Sequence, residues 1–246
     1  MSRYLAHAIT RGGSAGPAAG LRGQPLRHIA AGELGLWATE WQGDATLARS
    51  DALAHHDLVA AICERAPCLP VRFGTWLATE DVARRSVAEG QDRFAAAVDR
   101  LGERQEIAVT LLWREASADR DPAGGGAPEN GADRTAETGP GRAFLDRKRT
   151  AHTASDDRKA IADALATRLR SELATEQSDV RHETCPSVEV ALSLSFLARK
   201  DEAGALKARA TTAVADLPGV RGVVSGPWPP YSFTEDLAQA GGPDGS

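Results

Sequence analysis

Hydrophobic and polar positions alternate most strictly over residues 188–196, where Val188, Val190, Leu192, Leu194 and Phe196 face one way and Glu189, Ala191, Ser193 and Ser195 the other. A period of two is that of a strand with one buried face. The same alternation runs from Glu106 to Trp113, with Ile107, Val109, Leu111 and Trp113 on one side. Shorter apolar stretches predict strands at Arg3 to Ile9, Leu34 to Trp41, Leu69 to Leu77 and Val220 to Ser225. Elsewhere the period lengthens. Ala54, Leu58, Ala61 and Ile62 form the stripe of an amphipathic helix between Ser50 and Arg65, which Pro67 ends. Thr79 is placed to cap a helical region that runs to Leu101, with Glu80 and Asp81 suited to its first turn and Gly90 the point where it splits. Ile161, Leu165, Leu169 and Leu173 make a ridge on a long, otherwise polar helix from about Arg142 to Glu176. Leu206, Ala210, Ala213, Val214 and Leu217 predict one more helix, stopped by Pro218-Gly219.

Strands and helices are therefore mixed, and pairs of strands with single crossovers favour two small α+β domains, each a split βαβ unit, over one doubly wound sheet. Residues 115–140 contain Asp-Pro, Gly-Gly-Gly and Pro-Glu-Asn-Gly with almost no large apolar side chain, which predicts a flexible linker. The expected organisation is an N-terminal domain over residues 1–114, the linker over 115–140, a C-terminal domain over 141–233 and a polar tail over 234–246.

Charge and composition narrow the class without naming it. Twenty-nine basic residues stand against 34 acidic ones, a formal net charge of −5, and the basic residues are scattered, which argues against nucleic acid as a partner. Neither a signal-peptide core after Met1 nor a run of roughly 18 apolar residues appears, so a cytoplasmic protein with no lipid-membrane partner is expected. Three cysteines, Cys63, Cys68 and Cys185, make an odd count without an export signal, and a disulfide framework is not expected.

Candidate chemistry is sparse. His55, His56, Asp57, Cys63 and Cys68 form the one group of metal-ligand residue types, but adjacent histidines on a helix point about 100° apart and the cysteines lack Cys-x-x-Cys spacing, so no metal is expected. The glycines after Ile9 match neither a P-loop nor a dinucleotide fingerprint, and no nucleophile elbow is present, so no cofactor is expected. Within Leu69-Pro70-Val71-Arg72-Phe73-Gly74-Thr75, alternation sets Val71 and Phe73 on one face and Arg72 on the other. Arg72 then either pairs with a neighbouring carboxylate such as Glu106 or anchors a partner.

Gly226-Pro227-Trp228-Pro229-Pro230-Tyr231-Ser232-Phe233 is the most distinctive segment. Its prolines exclude a helix or central strand, and its three rings require burial, against this chain or a partner. Trp228 and Phe233 are expected to staple the second domain, with the polar edge of Tyr231 turned to a partner.

This segment resembles the C-terminal signature of the gas vesicle accessory proteins of the GvpF/GvpL family. The Leu69 to Thr75 stretch, Tyr4, the His55-His56 pair, Glu106, Gly141-Arg142-Ala143-Phe144-Leu145 and the Leu192 to Leu197 strand resemble the family in the same order. Phe144 stands where the family usually has tyrosine and Thr110 where a basic residue is common. The resemblance implies two ferredoxin-like domains and a non-enzymatic, chaperone-like or nucleating role. It also implies a cytoplasmic protein associated with the gas vesicle, whose partners are the main shell protein and other accessory proteins. The candidate interface residues are Arg72, Phe73, Trp228, Tyr231 and Phe233. The alternative is a cytoplasmic enzyme or small-ligand-binding protein that uses a cleft between the two domains.

Overall fold

The computed structural model describes residues 2–13, 16–43, 46–114, 140–173, 179–183 and 189–234, with side chains in the long helix described from residue 156. Two antiparallel sheets organise the chain. The first is built from β1 (Ser2–Arg11), β2 (Leu26–Ala31), β3 (Leu34–Gln42) and β4 (Cys68–Pro70) in the order β2-β3-β1-β4, and β5 (Trp76–Leu77) also pairs with β1. The second contains β6 (Arg104–Trp113), β7 (Val180–Glu183), β8 (Val190–Arg199) and β9 (Val220–Trp228) in the order β7-β8-β6-β9.

Both sheets thus place their strands second, third, first, fourth. In the second sheet α4 (Pro140–Leu173) links the first two strands and α5 (Ala203–Ala215) the last two, the β-α-β-β-α-β succession. In the first sheet a glycine-containing loop with one 3-10 turn, Leu21–Gly23, stands between β1 and β2, and α1 (Arg49–Arg65) precedes β4. Helices α2 (Glu80–Glu89) and α3 (Gln91–Leu101) follow, meeting at Gly90 as expected. Thr79 caps α2 by accepting the Val82 amide at 3.2 Å.

The first sheet is covered on both faces. Leu5, Trp37 and Trp41 pack with Leu58 and Ile62 of α1 on one side. Tyr4, Leu36 and Ala38 pack with Ala83, Val87 and Val98 of α2 and α3 on the other. In the second sheet Ile107, Val109 and Leu111, with Leu192, Leu194 and Phe196, bury against Leu165 and Leu169 of α4 and Leu206 and Val214 of α5. The alternation along β6 and β8 is therefore the signature of this core.

Three expectations need correction. Arg104–Trp113, assigned to a domain of residues 1–114, pairs with β8 and β9, because its apolar face has the same spacing as that of β8 and completes the second core. The expected strand from Leu69 to Leu77 is interrupted: Thr75 donates to the Arg72 carbonyl at 3.3 Å in a turn containing Gly74 (φ 85°), so Arg72 sits in a turn rather than mid-strand. Cys63 and Cys68 are joined in a disulfide, since the chain doubles back between the end of α1 and β4 and brings their Cα atoms to 5.2 Å. The expected linker lies outside the described residues, apart from Pro140. Strands β2 and β7 carry too little apolar alternation to be read from sequence. No described helix is long and apolar enough to cross a membrane.

Candidate functional site

The signature segment is anchored on β6. Strands β6 and β9 pair Glu106 with Trp228 and Ala108 with Ser225, leaving one extra residue on β9 at Gly226-Pro227. Gly226 has φ 105°, and a Cβ there would lie 2.5 Å from the Glu106 carbonyl oxygen, so both the backbone and the close approach call for glycine. Lys207 of α5 donates to the Gly226 carbonyl at 2.6 Å.

Glu106, 6% exposed, is the hub. Its two carboxylate oxygens accept the Ser232 amide at 3.0 Å and the Ser232 hydroxyl at 2.7 Å. The Ser195 hydroxyl of β8 lies 3.1 Å from that of Ser232. These contacts fix the turn that projects the three rings.

The rings go to different places. Phe233, 1% exposed, enters the core of the first half beside Leu197 of β8, with the Arg181 guanidinium 5.3 Å from its ring. Arg100 of α3 donates to its carbonyl at 3.3 Å. Tyr231 lies 6.5 Å from the His55 ring and 6.1 Å from His56, and its hydroxyl is buried with no hydrogen-bond partner among the described residues. Burial, and then the Glu106 charge, push the Tyr231 hydroxyl well above its usual pKa. Trp228 stacks edge-on against His56 at 4.7 Å and is 38% exposed. The indole thus reaches the surface while the phenol hydroxyl lies inside, the reverse of the exposure expected for these two rings. Phe233 staples the two halves together rather than the second alone.

Arg72 and Phe73 do not join this surface. Phe73 turns inward, its ring 5.3 Å from that of His55. Arg72 lines a separate cleft of about 900 Å³ between the first sheet and the α2–α3 elbow, along with Ile9, Leu36, Val71, Arg93 and Phe94. That cleft lies almost wholly within the first half, rather than between two domains.

His55 and His56 part as their helical spacing demands. His55 is buried, its Nδ1 2.9 Å from the Nδ1 of His7 and its Nε2 3.1 Å from the Val71 carbonyl. His7, a residue the sequence did not single out, also contacts the Thr39 hydroxyl through Nε2 at 2.6 Å. A polar residue among apolar neighbours in β1 was the one signal available for it. Among the described residues no three His, Cys, Asp or Glu side chains gather as a metal site.

The chain matches the family described as gas vesicle synthesis protein GvpL/GvpF over residues 3–235. It belongs to the GvpL/GvpF family. Gas vesicle protein L of Streptomyces sp. (strain CB03234) is 31% identical over 193 residues, 75% of this chain and 69% of that protein. The fold resembles the crystal structure of gas vesicle protein GvpF from Anabaena sp. PCC7120, with TM-score 0.69, 15% identity and 96% and 97% of the two chains covered. The GvpF structure from Microcystis aeruginosa gives the same TM-score at 12% identity, covering 95% of this chain and 99% of that one. The matched residues take in both sheets and the signature segment of this GvpL/GvpF protein.

Proposed function

We propose that this protein binds shell subunits during gas vesicle assembly, acting as a chaperone-like or nucleating factor through binding rather than catalysis. The observation that carries this reading is Trp228, a large ring held at the surface by a rigid turn whose other two rings are tucked inside. Exposed tryptophan on a preordered segment is the kind of side chain that concentrates binding energy at an interface. Membership of the gas vesicle family supports this reading, in which the partners are the main shell protein and other accessory proteins and the protein works in the cytoplasm at the vesicle. The two halves act as ferredoxin-like units locked by the signature segment, so the exposed rim is presented with little ordering cost.

Co-expression with the main shell protein followed by affinity capture tests the reading. Wild-type protein should retain the shell subunit and Trp228→Ala should lose most of it; no capture by the wild type would overturn the proposal. Washing isolated vesicles with denaturant separates an assembly factor, which is removed, from a minor shell component, which stays.

A further inference from the structure

Beside Trp228 a cleft of about 290 Å³ opens between α1 and the signature segment, lined by Leu53, His56, Glu106, Trp228, Pro229 and Tyr231. We propose that this cleft receives a basic side chain, arginine or lysine, from the protein partner; the inference rests on the shell-subunit reading and specifies what that contact grips.

Charge carries the argument. Glu106 is almost wholly buried, and its two hydrogen bonds both come from neutral donors of Ser232. A carboxylate has about four acceptor positions, so capacity remains. Among the described residues, no lysine, arginine or histidine forms an ion pair with it. An apolar plug would seal this carboxylate away from water without compensation, at a large desolvation cost, whereas a cation would compensate it.

The walls fit the same occupant. His56 lies 4.7 Å from the Trp228 ring and 6.1 Å from Tyr231, so three rings border one space, and aromatic faces attract cations. Leu53, 66% exposed on α1, offers the rim an apolar surface for the methylene stem. The volume equals roughly ten waters at their liquid share, enough for a long basic side chain. Burial and the Glu106 charge raise the pKa of the Tyr231 hydroxyl, so this ring stays neutral and the negative charge lining the cleft is that of Glu106.

The test is titration of the full chain, labelled with 15N, with Nα-acetyl-arginine amide, its lysine counterpart and the neutral citrulline isostere. The readout is the indole N–H of Trp228, assigned by comparison with Trp228→Phe. The two cations should move that signal saturably and citrulline should not. Glu106→Gln should weaken the response roughly tenfold or more. Because Glu106 also holds Ser232, Leu53→Lys serves as a second variant: it sets a competing cation at an exposed rim position, leaves the fold intact and should weaken binding similarly. An equal response to citrulline, or responses in both variants equal to wild type, would overturn the proposal. Capture of the shell protein distinguishes the two levels. If the wild type captures it and both variants do so undiminished, the basic-side-chain inference fails alone. If the wild type captures none, the shell-subunit reading fails and the titration still decides the cleft.

Discussion

The Nδ1 atoms of His7 and His55 face each other at 2.9 Å, so one ring donates to the other. Their other contacts decide which. The Val71 carbonyl only accepts, so His55 carries its proton on Nε2 and, when neutral, accepts at Nδ1. His7 therefore donates from Nδ1 and accepts the Thr39 hydroxyl at Nε2. The Thr39 oxygen in turn accepts the Leu21 amide at 3.0 Å. Every member is satisfied when both rings are neutral. A buried chain of this kind fixes α1 and the loop before β2 against the sheet, and with them the His56 wall of the Trp228 cleft.

Burial holds both rings below the ordinary histidine value of 6.5, His7 at about 3 and His55 at about 4; the His55 imidazole lowers His7 further, while at His55 the Val71 carbonyl opposes the burial and His56 adds a smaller lowering. The folded values lie below those of the unfolded chain, so the unfolded chain binds more protons as the pH falls. The stabilisation is complete above about pH 6.5, is withdrawn progressively as the pH falls below that value, and is fully lost once the pH has fallen through the two folded values. Each histidine should withdraw about 2 kcal/mol by pH 5. Thermal melts should hold steady from pH 8 to 7 and then fall. Replacing both, His7→Leu with His55→Leu, should flatten that fall; an unchanged slope would remove the network as its cause.

Phe233 and Trp228 sit five residues apart in sequence and make opposite demands. Phe233→Ala empties a site in the core that joins the halves and should cost about 3–5 kcal/mol, lowering the melting temperature by roughly 10 °C. Trp228→Ala removes a half-exposed ring and should melt within a few degrees of wild type, while losing shell-protein capture. Equal melting losses in the two variants would contradict the division between staple and contact.

Most of the core could be read from the chain because its strands alternate: Ile107, Val109, Leu111, Leu192, Leu194 and Phe196 announce a buried face by period alone. What they do not announce is which strands pair, since pairing is set by packing against distant elements. That is why β6 was expected with the strands before it. The turn at Arg72 was hidden because an apolar run with one arginine looks like a strand until Gly74 takes a positive φ. The site was half legible. Proline and aromatic density marked the segment, but whether Trp228 or Tyr231 reaches solvent depends on a single bulge against Glu106. His7 stood out only as one polar residue in an apolar strand, with its partner 48 positions away.

That bulge can be tested by its glycine. Gly226→Ala meets two obstacles, a positive φ of 105° and the Glu106 carbonyl oxygen, whereas Gly219→Ala meets only its φ of 72°, with no atom within 4 Å of the added carbon. The second variant should lose about 1 kcal/mol and the first clearly more, on the order of 2–3 kcal/mol. Chemical denaturation of both variants measures the difference. Equal losses would mean that the approach of the signature segment to β6 imposes no further constraint.

The placement of β6 makes the last prediction. This strand precedes residues 115–139, yet it pairs with β8 on one side and β9 on the other, and Ile107, Val109 and Leu111 are completely buried in the second core. Separating it would expose three large side chains, each worth about 1.5–3 kcal/mol of burial, and would strip two ladders of their hydrogen bonds. Phe233 adds a tie in the opposite direction, from the end of the second half into the first core. A protease site inserted within residues 115–139 and then cut should therefore give two fragments that migrate together on native size exclusion and part only in denaturant. If they separate without denaturant, β6 does not hold the second sheet together across the break, and the chain is two independent domains divided at residue 114 after all.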